Sequence, residues 1–497
     1  MQLVVIGGGT AGWMTAAALS ARLAPSGYDI VLIESDAIGT VGVGEATLPQ
    51  IREFNALIGV DEADFIRACH ATFKLGIEFV GWGDGDSRYM HPFGRFGQTI
   101  GGTEFIHSWA RARDAGWARP LEEYCLAIQA ARQNRFAFPA ADGGDVRASY
   151  DYAYHFDAHL YARYLRGLAE SRGVRRIEGR IVDVVRDAEG GAVRSVVLEG
   201  DRTIDGDFFI DCSGFRSLLL GDAMQAGWED WSHWLPCDRA VAVPSDRIDP
   251  LPPYTRSTTR SAGWQWRIPL QRRTGNGYVY SSAYIDDDAA VAELLAGLDA
   301  PAQAEPKLLR FRAGRRARSW VGNCVAVGLA SGFLEPLEST SIHLAQMAIV
   351  FLLRLLPDSR SVDPTLAAEF NRLIDVEYER VRDFLILHYH AARRDDTPLW
   401  RDCRRMAVPD SLSEKIDRFR RRGYVHDYRD GLFAPPSWQA VFVGQGIEPA
   451  GHDRLADRLG ADELRAQLEG IAREIDGAAA GMGDHGAAVA AFCGGGA

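Results

Sequence analysis

Leu3-Val4-Val5-Ile6-Gly7-Gly8-Gly9-Thr10-Ala11-Gly12-Trp13 is the stretch whose reading decides the fold. The four apolar residues at its start read as a short buried strand, residues 7–12 as a glycine turn, 15–23 as a helix and 29–34 as a second strand, which together make a βαβ opening. Within it, Gly7, Gly9 and Gly12 satisfy G-x-G-x-x-G. The first glycine permits a tight turn, the second lets backbone approach a pyrophosphate, and the third allows close helix packing, while the helix N-terminus attracts negative charge. Glu34 lies 22 residues beyond Gly12, where an acid is expected to bind ribose hydroxyls. A glycine turn can also serve only to pack a helix on a sheet. Strand, helix and acid at these distances instead favour a dinucleotide held by Gly7, Gly9, Thr10, Ala11, Gly12 and Glu34.

Two later segments, residues 208–214 and 324–330, each place a strand before small residues, as in flavoproteins whose chain returns to the flavin. That favours FAD. No second strand-coupled glycine motif is present to hold NAD(P)H, which implies that reduced flavin comes from a separate reductase. Residues 181–185, 193–198 and 208–210 read as strands joined by hairpins, with turns at 189–191 and 200–201. Segment 244–260, with its prolines, reads as a loop, followed by strands at 264–268 and 278–285. From Ser341 onward helices dominate, Pro435 and Pro436 break the last third, and residues 476–497, rich in Ala and Gly, read as a fraying end.

A chain of 497 residues with 47% apolar and 25% charged residues has ordinary globular composition. A net charge of −12 without any basic stripe argues against nucleic acid and anionic membrane as partners. Seven scattered cysteines without a C-x-x-C pair suggest free thiols, no metal site and a cytoplasmic location. The N-terminus lacks the positive region of a secretory signal, and the most apolar stretch, 342–356, is too short and polar to span a bilayer. Of 55 basic residues only Lys74, Lys307 and Lys415 are lysines.

Four separated signatures resemble the flavin-dependent tryptophan halogenase family: residues 7–13 above, Gly42-Val43-Gly44-Glu45-Ala46-Thr47, Gly263-Trp264-Gln265-Trp266-Arg267-Ile268-Pro269, and Phe333-Leu334-Glu335-Pro336-Leu337-Glu338-Ser339-Thr340. The resemblance implies an α/β (α+β composite) fold: a discontinuous, Rossmann-like flavoprotein-monooxygenase core over 1–400, and a mainly helical region over 401–497 contributing to the substrate pocket. It also implies that reduced FAD, oxygen and bromide or chloride yield hypohalous acid, which a lysine receives for electrophilic halogenation of an indole-like aromatic. Gly44, Glu45, Ala46, Val182, Gly328, Leu329 and Ile342 join the flavin contacts on the same ground.

Lys74, in Phe73-Lys74-Leu75-Gly76, matches the catalytic lysine. A primary amine can form a haloamine or orient hypohalous acid, whereas an always-protonated guanidinium cannot act as that nucleophile. The alternative is a surface residue: Phe73, Leu75, Ile77 and Phe79 alternate as a buried strand face, which puts Lys74 on the solvent side. Glu338 matches the family's active-site glutamate, suited to accept the arenium proton or to hold hypohalous acid. Thr340 and Ser341 are the halide candidates, although Ser339, Thr340 or Ser341 can instead cap the following helix. Ser341 stands where many tryptophan-specific members have glycine, which leaves chloride against bromide open.

Trp264 and Trp266, on one face of a strand, correspond to residues that hinder direct oxygen transfer. His91 and Phe93 resemble the pair that flanks the aromatic substrate, though 17 residues from Lys74 to His91 is shorter than the usual spacing. The stretch Leu432-Phe433-Ala434-Pro435-Pro436-Ser437-Trp438 lacks the tyrosine pair used to bind free tryptophan, so simple indoles, another aromatic, or a carrier- or peptide-linked aromatic stay open as substrates. A flavin-dependent aromatic hydroxylase and a non-catalytic flavin-binding redox protein are the alternative readings. Oligomeric state, including a homodimer, is left open.

Overall fold

Strand Gln2–Ile6 buries four of its five residues because it lies inside a six-stranded sheet ordered Trp320–Val321, Cys324–Ala326, Phe208–Asp211, Gln2–Ile6, Asp29–Glu34 and Arg175–Glu178. All neighbours are parallel except the first pair, and strands covered on both faces read as unbroken apolar runs. The computed structural model describes residues 1–497 except 24–26, 38–43, 188–190, 358–361 and 494–497. The chain divides into two compact units: residues 1–71, 156–233 and 310–379 form the first, and residues 72–155, 234–309 and 380–497 the second.

In the first unit the opening helix begins at Thr10 and runs to Leu23, so the glycine turn is only three residues long. It packs against helices Ala158–Ser171 and Ser341–Leu355. Asp157 caps the second of these, accepting from the His159 and Leu160 amides at 3.0 and 3.2 Å and so satisfying donors that a helix start leaves open. Strands Ile181–Arg186 and Val193–Leu198 form the expected hairpin, and its third strand is Arg202–Asp205. Phe208–Asp211 is not a hairpin partner. It pairs in parallel with Gln2–Ile6, because its apolar side chains complete the central sheet, whose core includes Val4, Ile6 and Phe209.

The second unit is built on a seven-stranded sheet ordered Lys307–Arg310, Arg239–Asp246, Arg273–Tyr280, Gly263–Pro269, Thr255–Arg260, Gly76–Val80 and Arg88–Pro92. The proline-rich segment expected as a loop is therefore mostly strand. Only residues 247–254 connect Arg239–Asp246 to Thr255–Arg260, and Pro244 is accommodated within the first of them. The strand expected at 278–285 instead ends at Tyr280. Pro435 and Pro436 begin helix Pro435–Gly444 rather than break one, as suits proline in a first turn. The described part of the Ala/Gly-rich end forms regular structure: helix Ala461–Gly481 leads through Gly483–Asp484 into helix His485–Cys493, and Met482, His485 and Val489 are buried. Among the described residues no helix is long and apolar enough to cross a membrane.

Candidate active site

The glycine turn of the first unit shows a division of labour that steric tests make explicit. Gly7 has φ +104°, and a Cβ there would overlap the Cys212 carbonyl; one at Gly12 would overlap the Gly7 carbonyl. These two glycines serve tight turning and packing. At Gly9 a Cβ would meet nothing within 4 Å, so the open side of the turn lies at the residue where backbone must approach a pyrophosphate. The first amides of helix Thr10–Leu23, from Thr10, Ala11 and Gly12, have no acceptor within the helix. This cradle fits a dinucleotide phosphate.

Glu34 ends its strand against Gly8, where a Cβ would overlap the carboxylate. Its Oε1 accepts from Arg176 Nε at 2.5 Å and from Arg166 Nη1 at 3.5 Å. Gly328, at φ +69°, brings its turn so near Ala11 that a Cβ would sit 2.8 Å from the alanine methyl. The 324–330 segment thus lies against the first turn of helix Thr10–Leu23. Leu329 is partly exposed and Ile342 buried. Val182 is 51% exposed, an apolar side chain open to a ligand. Gly44 and Ala46 are buried on a short strand. Burial pushes the Glu45 carboxyl up to about 7, although a small part of the residue reaches solvent. Gly42 and Val43 lie outside the described residues.

Glu338 is fully buried in the short turn Pro336–Glu338. The next residue, Ser339, adopts a left-handed conformation at φ +60°, a strained state for a residue with a side chain. Helix Ser341–Leu355 then starts from Thr340 with no side-chain cap hydrogen bond. The capping role expected as an alternative is therefore not taken by the Thr340 hydroxyl. Thr340 is fully buried, and its Oγ1 has no hydrogen-bond partner among the described residues, while Ser341 is partly exposed at the first helical position.

In the second unit, Lys74 is 0% exposed, which overturns the solvent-side alternative. Strict alternation fails because the strand stops at Lys74 and restarts at Gly76; Thr72, Phe73 and Lys74 are all buried. Hairpin Gly76–Val80/Arg88–Pro92 pairs Gly76 with Pro92, and the Phe93 amide donates to the Leu75 carbonyl at 2.8 Å. The short spacing is thus one hairpin long, and it delivers Phe93 to Lys74: Nζ lies 4.9 Å from the phenyl centroid, within cation–π range.

His91 packs near Phe93, Phe384 and Phe433 at centroid distances of 6.5, 5.5 and 6.0 Å. Phe433 stacks on Phe384 at 3.9 Å, and Trp438 meets Phe384 edge-on at 4.8 Å. Phe433 holds a left-handed φ of +72°, and its carbonyl accepts from Trp438 Nε1 at 3.1 Å. Trp264 and Trp266 form a separate buried pair with ring centroids 6.2 Å apart. The Trp266 ring covers Gly277 on the neighbouring strand, where a Cβ would overlap it.

Sequence reading missed Phe384, Phe433, Trp438, His155 and His485. The available signal for the first three was a Phe384/His388 pair at helical spacing and the two aromatics of residues 432–438. Nothing local marks the two histidines. All seven cysteines are free, and among the described residues no group of three His, Cys, Asp or Glu is placed to hold a metal.

A model of the tryptophan halogenase family matches residues 2–461. Tryptophan 7-halogenase RebH of Lentzea aerocolonigenes is 38% identical over 445 residues, 84% of this chain and 82% of its own. Among solved structures, BrvH, a flavin-dependent halogenase from Brevundimonas sp. BAL3, has a TM-score of 0.95 at 44% identity and covers 99% of both chains. A flavin-dependent halogenase from Xanthomonas campestris has a TM-score of 0.95 at 47% identity, covering 99% of this chain and 98% of its own.

Proposed function

Because the chain belongs to the flavin-dependent tryptophan halogenase family, we propose that Lys74 receives hypohalous acid and delivers its halogen to an indole-like ring held by His91, Phe93, Phe384 and Phe433. The enzyme is a flavin-dependent halogenase that uses reduced FAD, dioxygen and halide. When bound, the reduced cofactor supplies the chemistry that turns dioxygen and halide into hypohalous acid. Gly7, Gly9, Thr10, Ala11, Gly12 and Glu34 bind its pyrophosphate and ribose, and Gly44, Glu45, Ala46, Val182, Gly328, Leu329 and Ile342 complete its contacts. Thr340 and Ser341 hold halide, the Thr340 hydroxyl being a buried donor with no hydrogen-bond partner among the described residues.

The observation that carries the reading is a fully buried lysine, one of three in the chain, whose amine lies 4.9 Å from the Phe93 ring. A buried amine is screened from bulk water, and a neutral one is nucleophilic toward halogen. Net transfer converts an aryl C–H and hypohalous acid into an aryl C–X bond and water. The ring proton passes to a base, for which the buried Glu338 carboxylate is suited. The aromatic walls bind a flat ring through apolar and quadrupole contacts, without the paired tyrosines that recognise a free amino acid in tryptophan-specific relatives; indole and simple indoles are the substrate class. Trp264 and Trp266 hinder oxygen transfer to that ring. A separate flavin reductase feeds the enzyme.

The test supplies an NADH-driven reductase, FAD, oxygen and bromide or chloride to wild type and Lys74→Ala, with an indole panel read by mass spectrometry. A halogen isotope pattern from wild type alone is expected. Equal halogenation by Lys74→Ala would refute the lysine's role, and oxygenated products without halogen would select a hydroxylase.

A further inference from the structure

Lys74 sits at the end of a strand only three residues long, Thr72–Lys74, which pairs along one edge with residues 153–155. Beyond that backbone pairing, two buried histidines hydrogen-bond to so short a strand. At the other edge, the Phe73 amide donates not to a strand but to His485 Nε2 at 3.2 Å. His485 Nδ1 lies 2.9 Å from the Leu251 carbonyl, and a carbonyl can only accept. Its proton is therefore on Nδ1, and Nε2 is an acceptor.

His155 is fixed by the same reasoning. The Thr72 hydroxyl donates its single proton to the Pro269 carbonyl at 2.8 Å, so it accepts from His155 Nδ1, 3.1 Å away. That leaves His155 Nε2 to accept from the Thr255 hydroxyl at 3.0 Å. Both imidazoles are fully buried, and each has both nitrogens engaged. Burial lowers His485 to about 4, against an opposing contribution from the Leu251 hydrogen bond and Asp484 and a small reinforcing one from Arg247. Burial first, then Lys74, His485 and Arg267, holds His155 well below its ordinary value. A charged imidazole at either place would lose its acceptor nitrogen and add a cation to the surroundings of Lys74.

Phe73 extends the same support. Its ring stacks on Phe136 at 4.0 Å and meets Phe492 at 5.8 Å, so the strand before Lys74 is packed against helix His485–Cys493, more than 400 residues away in sequence.

We propose that His485 and His155 are positioning residues for Lys74, holding the Thr72–Lys74 strand from its two sides, and that the C-terminal helix is thereby a working part of the halogenating site. The proposal rests on the reading that Lys74 receives hypohalous acid. Neither histidine touches the reacting atoms; each acts through Thr72 or the Phe73 amide.

The experiment uses the full chain with FAD, an NADH-driven reductase, bromide and indole, and measures bromoindole formed per NADH oxidised, KM for indole and FAD affinity. His485→Leu removes the acceptor for Phe73 N–H. It should lower bromoindole per NADH at least tenfold, with FAD affinity and KM for indole within twofold of wild type. His485→Gln carries an amide oxygen able to take the Nε2 role, and should recover at least half of the wild-type ratio. Thr255→Val, which deletes the donor to His155 while keeping volume, should lower the ratio in the same way and stands in if His485→Leu does not fold. Wild-type ratios in folded His485→Leu or Thr255→Val, or equal losses in His485→Leu and His485→Gln, would overturn the proposal. Lys74→Ala runs alongside: full activity there would instead overturn the reading of Lys74 itself.

Discussion

Lowering the pH from 7 to 5 should weaken the second unit by about 2 kcal/mol through His485 alone. The side chain is fully buried, and burial lowers it from 6.5 to about 4. As pH falls, the unfolded chain takes up this proton before the folded one does. The stability contributed by the neutral histidine is therefore complete above 6.5 and is lost between 6.5 and 4. Over the part of that window above pH 5, about 1.5 units at about 1.4 kcal/mol each gives about 2 kcal/mol. Urea unfolding of wild type and His485→Gln at both pH values, followed by tryptophan fluorescence, isolates the effect. Glutamine does not titrate, and His155, buried and neutral in both proteins, cancels. If the two proteins lose the same stability from pH 7 to 5, within about 0.5 kcal/mol, the neutral buried state assigned to His485 is wrong.

The glycine turn yields a paired test. Gly9→Ala should leave the melting temperature unchanged and weaken FAD binding about tenfold, or about 1.4 kcal/mol, by placing a methyl where the pyrophosphate approaches. Gly12→Ala should instead destabilise the apo-protein by about 1–3 kcal/mol through overlap with the Gly7 carbonyl; flavin fluorescence titration and thermal melts separate the two. Gly277→Ala forces a methyl into the Trp266 indole and should cost about 1–3 kcal/mol, with a changed near-UV circular dichroism signal. An unchanged spectrum and melt would show that the ring does not lie where described.

What was legible in the sequence was what chemistry or sterics demand locally. A turn this tight admits only glycine at Gly7 and Gly12, where a Cβ would overlap backbone carbonyls, and an acid at the next strand end follows from the βαβ unit, so both were readable from residues 3–34. Lys74 stood out because the chain otherwise uses arginine. The pairing of Phe208–Asp211 was not legible, since an apolar strand after a hairpin looks alike whether it continues the hairpin or joins a distant sheet. The buried state of Lys74 escaped the alternation rule because the strand breaks at Leu75, and the rule assumes one continuous strand. Phe384 and Phe433 left only a weak signal, the helical spacing of Phe384 and His388 and the aromatics of residues 432–438, whereas His155 and His485 meet the Thr72–Lys74 strand through tertiary packing that no spacing along the chain encodes.

The distribution of cysteines bears on how such an enzyme survives its own product. Hypohalous acid attacks thiolates readily, and a thiol kept protonated and enclosed is a poor target. Six of the seven cysteines are buried; burial pushes the Cys125 and Cys212 thiols up to about 12 and raises Cys69 and Cys324 as well. Cys493 alone is exposed. During turnover, oxidant that escapes the substrate should therefore mark Cys493 before any other thiol, and peptide mass spectrometry of that residue becomes a running record of leakage.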